Sequence, residues 1–310
     1  MQLALAPMQD VTDLAFMRVL HRLGSLPDVL VTPYFRSTPT TCAMAEHNLR
    51  CIDENETGLP ILAQLAGSDA AALVRDAAAL LERPGVSGIN LNAGCPSPLV
   101  NRHGAGAGLL RELPRFREVL LALRQMLPQG KFSVKTRLGW ESAEEEFPAL
   151  LHLLEEAHPD AVMLHARTRR QLYGGRPAMN YVQQAVQQLA CPVLANGDIC
   201  TPQEAAACLH HTGAAGLMIG RGAVRNPYLF RQLRGEPPPS REEMQRYYAL
   251  LLEETGRILG PHRTEKGHCN RMKKYLAFCY PDFSPEQEYA LRRCTSTAEM
   301  LRLLSLPARV

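Results

Sequence analysis

Eight short apolar runs, separated by longer segments of helical character, leave this chain few folds to choose from. The runs read "LALAPM" (3–8), "VLVTPYF" (29–35), "PILAQL" (60–65), "GINLNAG" (88–94), "KFSVKTR" (131–137), "AVMLHAR" (161–167), "PVLANGD" (192–198) and "GLMIGRG" (216–222). Each has the length of a buried strand. The segments between them, such as "DAAALVRDAAALLE", "LPRFREVLLALRQML" and "TPQEAAACLHH", carry helical periodicity or alanine-rich helix formers. Strands that alternate with helices pair in parallel, because a parallel neighbour is reached only through a crossover. Six or so such units would suggest a doubly wound sheet; eight predict an α/β fold of the (β/α)8 TIM-barrel type over residues 1–235. At "RGEPPPS" (234–240) the strand pattern stops, since a proline run cannot continue a helix and reads as a linker. Three helical patterns follow, "REEMQRYYALLLEETGRIL", "TEKGHCNRMKKYLAFCY" and "SPEQEYALRRCTSTAEMLRLL", and predict a small helical bundle over residues 240–310. Ser240 with Glu243, and Ser284 with Gln287, have the spacing of helix-starting capping boxes.

Composition narrows the function classes. With 46% hydrophobic and 21% charged residues the chain has ordinary globular content, and disorder is excluded. No apolar run approaches the roughly 18 residues that span a bilayer, and "MQLALAPMQD" lacks the basic start and long apolar core of a secretion signal, so no membrane association and a cytoplasmic protein are expected. Nine cysteines form an odd set without a C-x-x-C pair, which suggests neither a disulfide framework nor a zinc ribbon. Cys200, Cys208, His210 and His211 lie on a helix and its exit without tight ligand spacing, so no metal is expected. The net charge of +3 is mild, but its distribution is not: within "PHRTEKGHCNRMKK" stand Arg263, Lys266, Arg271, Lys273 and Lys274 against Glu265 alone. That is a basic patch on a helix, either a solvated face or a grip on nucleic acid.

In a barrel of this type the carboxyl ends of the strands carry the active site. Seven of the eight runs end there in polar or special residues: Pro7 and Met8, Gln64, Asn92 and Cys95, Lys135 and Arg137, His165 and Arg167, Asn196 and Asp198, Gly220 and Arg221. The glycines of "ANGDI" and "IGRGA" let backbone N–H groups approach an anion where such barrels often keep a phosphate, and Arg221 adds charge. Lys135, within an apolar strand, needs an anionic partner or loses its charge. Gln64 and Asn92 can both donate and accept, which suits the edge of a flavin or a pyrimidine.

The segments "LAPMQDVTD", "QLAG", "NLNAGCPSP" with "GAGAGLL", "VKTRLGW", "LHARTR", "LANGDI" and "IGRGA", in this order over residues 3–223, resemble the tRNA-dihydrouridine synthases, flavoproteins that reduce specific uridines of tRNA. The basic helical tail is similar to their carboxy-terminal RNA-binding domain. The resemblance implies FMN across the barrel mouth, held by Pro7, Met8 and Gln9, by Gln64, Lys135 and His165 around its ring system, and by Asn196, Gly197, Asp198, Gly220 and Arg221 toward its phosphate. It implies NADPH as reductant and tRNA as partner, in a monomer without protein partners. Asn92, Arg137, His165, Arg167 and Tyr173 would bind the flipped-out uridine, and Arg263, Lys266, Arg271, Lys273 and Lys274 the body of the tRNA. Reducing the C5=C6 bond of uracil needs a hydride at C6 and a proton at C5, and Cys95 is the implied proton donor. Pro98 stands where many family members carry a basic residue, which alters the RNA contacts expected of the loop. Two other readings share parts of this pattern: a flavin barrel that reduces a free pyrimidine, of the dihydroorotate dehydrogenase kind, which has no use for the basic tail, and a tRNA-binding module without catalysis.

Overall fold

The computed structural model describes residues 1–40 and 42–306. Eight strands run in order: β1 (Gln2–Leu5), β2 (Val29–Val31), β3 (Ile61–Ala66), β4 (Val86–Ala93), β5 (Phe132–Arg137), β6 (Ala161–His165), β7 (Val193–Asn196) and β8 (Gly216–Ile219). Each pairs in parallel with the next, and β8 pairs in parallel with β1, so the sheet closes into a (β/α)8 barrel.

Closure depends on a glycine at the seam. Gly216 is in register with Gln2, and a Cβ at Gly216 would sit 2.0 Å from the carbonyl oxygen of Gln2. Backbone cannot yield there without parting β1 from β8. Gly216→Ala is therefore expected to lower the unfolding free energy by about 3 kcal/mol or more, read as a fall in the urea midpoint; an unmoved midpoint would show that the seam does not need this close approach.

Strand alternation sorts the residues. Ala4, Ala6, Val29, Val31, Met163, Leu194 and Met218 pack together inside the barrel, while Leu3, Leu5, Leu65, Ile89, Leu91, Val134 and Leu164 face the helices. With a period of two, the inward set continues along each strand toward its carboxyl end: Asn90 leads to Asn92, Ser133 to Lys135 and Arg137, Met163 to His165, Leu194 to Asn196, Met218 to Gly220. The interior of the barrel is thus largely apolar, broken by the buried Gln64, Asn90 and Ser133, and its rim is polar.

The second run departs from expectation. "VLVTPYF" is not one strand: β2 stops at Val31, and Phe35–Ser37 forms a separate short strand that pairs with β3 and, antiparallel, with Cys42–Ala43. Pro33 explains the break, since it removes a ladder donor and restrains the residue before it.

Helix α1 (Leu14–Arg22) follows β1, and the carboxy-terminal region folds into α2 (Arg241–Leu259), α3 (Glu265–Cys279), α4 (Pro285–Arg293) and α5 (Thr297–Leu304). The third tail pattern is two helices, broken at Cys294–Ser296, where residues with backbone-seeking hydroxyls favour an ending over propagation. Ser240 makes a full capping box with Glu243; Ser284 accepts from the N–H of Gln287 without the reciprocal bond. Residues 307–310 of the expected bundle lie outside the described residues. These helices share one apolar core with the outer layer of the barrel, and polar contacts add to it: Tyr247 Oη donates to the carbonyl of Val224 at 2.9 Å, and Arg22 of α1 pairs with the buried Glu254 at 2.7 Å. Among the described residues no helix is long and apolar enough to cross a membrane, and no group of three or more His, Cys, Asp or Glu side chains converges as for a metal ion.

Candidate active site

A cavity of about 440 Å³ opens at the carboxyl ends of the strands. Of the residues singled out from sequence, Pro7, Met8, Gln9, Asn92, Cys95, Lys135, Arg137, His165, Tyr173, Asn196, Gly197, Asp198, Gly220 and Arg221 all line it. Phe278 of α3 lines it too, so the helical tail forms part of one wall.

Cys95 sits on the loop after β4, and its backbone is held from three directions. The Asn92 side-chain oxygen accepts from the N–H groups of Gly94 (3.1 Å) and Cys95 (2.9 Å); the Cys95 carbonyl accepts from Asn101 Nδ2 (2.8 Å) and from the N–H of Ala107 (3.0 Å). Gly106, at φ +60°, lies so close that a Cβ there would meet Cys95 Cβ and its carbonyl oxygen at 3.0 Å each. The glycine-rich segment after "GCPSP" is therefore the backing against which the cysteine loop is pressed.

Gln64 does not reach the cavity. It is fully buried beneath it, accepting from Asn92 Nδ2 at 2.8 Å and donating to Asn90 Oδ1 at 2.7 Å, while Asn90 donates to Ser133 Oγ at 2.9 Å. This chain of amides orients Asn92, and through it the Cys95 loop. The sequence reading took Gln64 for a cofactor contact; with both ends of its amide engaged by Asn90 and Asn92, the structure gives it a supporting place.

Arg167, expected at the substrate, is likewise drawn away from the cavity. Its side chain is 1% exposed and donates to the carbonyls of Gly174 (3.0 Å) and Gly175 (2.5 Å) and to both carboxylate oxygens of Asp198. It ties the loop that carries Tyr173 to the end of β7. Asp198, held at φ +47° after Gly197 at φ +141°, also pairs with Arg221. Burial pushes its carboxyl up, but hydrogen bonding and charge from Arg167 and Arg221 outweigh this and hold it below the ordinary value.

The charge balance of the cavity is positive. Arg137 is buried and its hydrogen bonds go to carbonyls, those of Gly94, Thr168 and Leu172, each at 2.9 Å; burial lowers it to about 10. Lys135, enclosed by protein except toward the cavity, donates to Asn196 Oδ1 at 3.2 Å and has no carboxylate partner among the described residues; burial, then the like charge on Arg137, lowers it to about 8. Burial and the same cations hold His165 far below the ordinary imidazole value, so it is neutral. Burial raises the Cys95 thiol from its ordinary value, against a backbone hydrogen bond at Ser97 and the charges of Lys135 and Arg137, which favours the protonated form. At the other end glycines keep the walls close: a Cβ at Gly222 would lie 2.0 Å from the Ile199 carbonyl, and one at Gly220 would crowd Ala6 and the Met8 sulfur at 3.2 and 3.4 Å. A cationic pocket with an uncompensated lysine and a glycine-lined end fits an anionic, phosphate-bearing ring cofactor such as FMN.

Tyr34 is a polar cavity residue that sequence reasoning missed. It lines the cavity from the loop after β2, the one run that offered no candidate; it is half-buried, and its hydroxyl makes no hydrogen bond among the described residues. Asn48 Nδ2 fixes its carbonyl at 2.8 Å. The proline in "TPYF" was the available signal, since it marks the chain leaving the sheet at the rim.

The tail cations divide. Arg271 pairs with Asp13, the N-cap of α1, and with Tyr275; Lys274 pairs with Asp10 at 2.9 Å; Arg263 donates to the carbonyls of Gly256 and Gly260 at 2.8 Å. These three fasten the tail to the barrel and close the α2–α3 turn. Lys266 and Lys273 make no ion pair among the described residues. None of the five lines the cavity.

Residues 4–307 match the family model described as Dihydrouridine synthase (Dus). The tRNA-dihydrouridine synthase B of Escherichia coli K12 is 30% identical over 295 residues, covering 93% of this chain and 89% of that protein. That of Pseudomonas putida is 34% identical over 258 residues, covering 81% and 74%. Among solved structures, the old yellow enzyme homologue from Zymomonas mobilis superposes with a TM-score of 0.54 at 12% identity over 77% of this chain and 90% of that one. TcOYE with pHBA gives 0.56 at 10% identity over 82% and 94%. At such identities the likeness is one of fold.

Proposed function

Since the chain belongs to the dihydrouridine synthase family, whose members are flavin-dependent oxidoreductases, we propose that it reduces the C5=C6 bond of uridines in tRNA, with FMN as cofactor, NADPH as reductant and Cys95 as proton donor. FMN bound in the cavity would supply the hydride to C6 of the uracil ring. Lys135 and His165 would flank its ring system, Pro7, Met8 and Gln9 would close over it, and Gly197, Gly220 and Arg221 would face its phosphate, with Asn196 and Asp198 orienting Lys135 and Arg221. The lysine without a carboxylate gives its charge to the electron-rich end of the reaction.

The observation that carries the reading is the placement of Cys95: a thiol on a braced loop, at the edge of a cationic cavity, with burial favouring its protonated form. Donating that proton to C5 completes the addition, and the thiolate is then stabilised by Lys135 and Arg137 until it is reprotonated. Asn92 serves this step by holding the Cys95 N–H; Arg137 and Tyr173, stacked with the guanidinium 5.7 Å from the ring, stand at the mouth where the uridine enters. The target base must leave its stack, at a cost of a few kcal/mol, and contacts to the RNA body from the helical region 240–310, with Lys266 and Lys273 free to make them, offset it. We take it to act as a monomer, and we place that action in the cytoplasm, where tRNA is modified.

The test is an anaerobic one. The protein is reduced with NADPH, unmodified tRNA is added, and flavin reoxidation is followed while dihydrouridine in the tRNA is assayed. Reoxidation with dihydrouridine formed is expected. A flavin that ignores tRNA but responds to free pyrimidines would replace this reading with a small-molecule reductase, and a protein that binds tRNA without flavin would leave only a binding module.

A further inference from the structure

Trp140, the only tryptophan of the chain, lies just beyond β5 in "LGW". Its setting is tightly built. Its N–H donates to the carboxylate of Glu146, its carbonyl accepts from the N–H of Arg170 at 2.8 Å, and the preceding Gly139 accepts from the N–H of Arg169 at 2.9 Å. A Cβ at Gly139 would lie 2.3 Å from the Glu146 carboxylate, so this corner admits no other residue without rearrangement.

Two guanidinium groups stack on this one indole: Arg169 at 4.5 Å and Arg111 at 5.0 Å from the ring centre. Neither has a carboxylate partner among the described residues. Among the described residues the Arg169 side chain donates only through its Nε, toward Asn101 Oδ1 at 3.2 Å, and the Arg111 side chain donates to nothing. Many of the other arginines are paired with a carboxylate, Arg117 with Glu156 and Arg83 with Asp53 among them. Two like charges gathered on one ring with no counter-ion are unfavourable until an anion arrives. Stacking holds the planes in place and leaves the edges, where the N–H donors are, open to it. The indole itself, already covered by guanidinium, is not available to stack a base.

We propose that Arg111 and Arg169, mounted on Trp140, form a phosphate-binding platform that takes a backbone phosphate of the tRNA close to the target uridine. The inference rests on the reading of this chain as a tRNA-modifying enzyme. Guanidinium edges match phosphate oxygens bidentately, and the platform adjoins the catalytic loop: Arg169 is bonded to Asn101, whose Nδ2 holds the Cys95 carbonyl at 2.8 Å. A phosphate seated there steadies the side chain that positions the proton donor. Arg169 is thus a positioning residue as well as a binding one, whereas Arg111 touches nothing in the loop.

The test uses the full chain loaded with flavin and unmodified tRNA. Binding is titrated across a salt series for wild type, Arg111→Ala, Arg169→Ala, the double variant, and Arg117→Ala as a paired surface arginine. Each platform arginine removed is expected to lower the log–log salt slope by about one, with no change for Arg117→Ala. Each should raise KM for tRNA roughly tenfold, and Arg169→Ala should lower kcat in addition. Trp140 emission should change when tRNA binds. Salt slopes equal to wild type in both single variants, or emission indifferent to bound tRNA, would overturn the platform while leaving the enzyme reading intact. A wild-type protein that neither binds nor reduces tRNA would instead remove the reading on which it rests.

Discussion

Replacing Cys95 by alanine is expected to leave flavin and tRNA bound and to lower the rate of dihydrouridine formation by 10²–10⁴-fold, on the order of what a positioned general acid contributes. The expectation rests on separability. Cys95 holds its loop through backbone atoms, its N–H to Asn92 and its carbonyl to Asn101 and Ala107, so the Sγ can be removed without loosening the brace. Single-turnover reoxidation of the reduced flavin by tRNA measures the step directly, and an alanine variant of near-normal rate would exclude this thiol as the acid. The pH profile gives a second check. An acid acts while protonated, and burial raises this thiol from its ordinary value, so the wild-type rate should hold through neutral pH and fall only in the alkaline range. A fall centred below neutrality would mean that Lys135 and Arg137 win over burial and that the group is a thiolate at rest.

Lys135→Met is expected to move stability and activity in opposite directions. In the flavin-free protein Lys135 is a cation among Arg137 and neutral groups, its value lowered to about 8 from 10.5. The folded state therefore resists charging this lysine more than the unfolded chain does. The resulting penalty is fully present below pH 8, declines between pH 8 and 10.5, and is absent above that range. The gap corresponds to at most about 3 kcal/mol, less what water in the open cavity already screens. Methionine fills similar space without the charge, so the flavin-free variant should unfold at higher denaturant than wild type at pH 7, and the gain should vanish toward pH 10.5. Turnover should meanwhile fall by 10²–10³-fold, as for loss of a preorganised charge at the reaction centre. Equal denaturation midpoints at pH 7 would show that the lysine already has an adequate counter-ion. Such a trade is what a site strained for function predicts.

Much of this was legible in the chain, for reasons that differ from residue to residue. The apolar runs named the strands because a buried parallel strand has no polar face, and the residues just past each run named the rim because the barrel has only one chemically active end. The misplacements have a common cause. Gln64 and Arg167 are at the correct strand ends, yet each is held below or beside the cavity by a partner distant in sequence: Asn90 and Asn92 for Gln64, Asp198 and the Gly174–Gly175 carbonyls for Arg167. Arg271 and Lys274 read as part of a free basic face because Asp10 and Asp13, which pair with them, lie some 260 positions earlier.

The sequence alone determined the barrel, the helical tail, the polar rim and the cysteine loop, because these follow from periodicity and from residue types at strand ends, which are local properties. Only the tertiary structure decided which rim side chains face the cavity and which brace it, which cations remain unpaired, and that Tyr34 lines the same mouth. Those outcomes depend on which donors and acceptors meet across the barrel, and a long-range pairing of charge or hydrogen bond leaves no periodic trace in the chain that makes it.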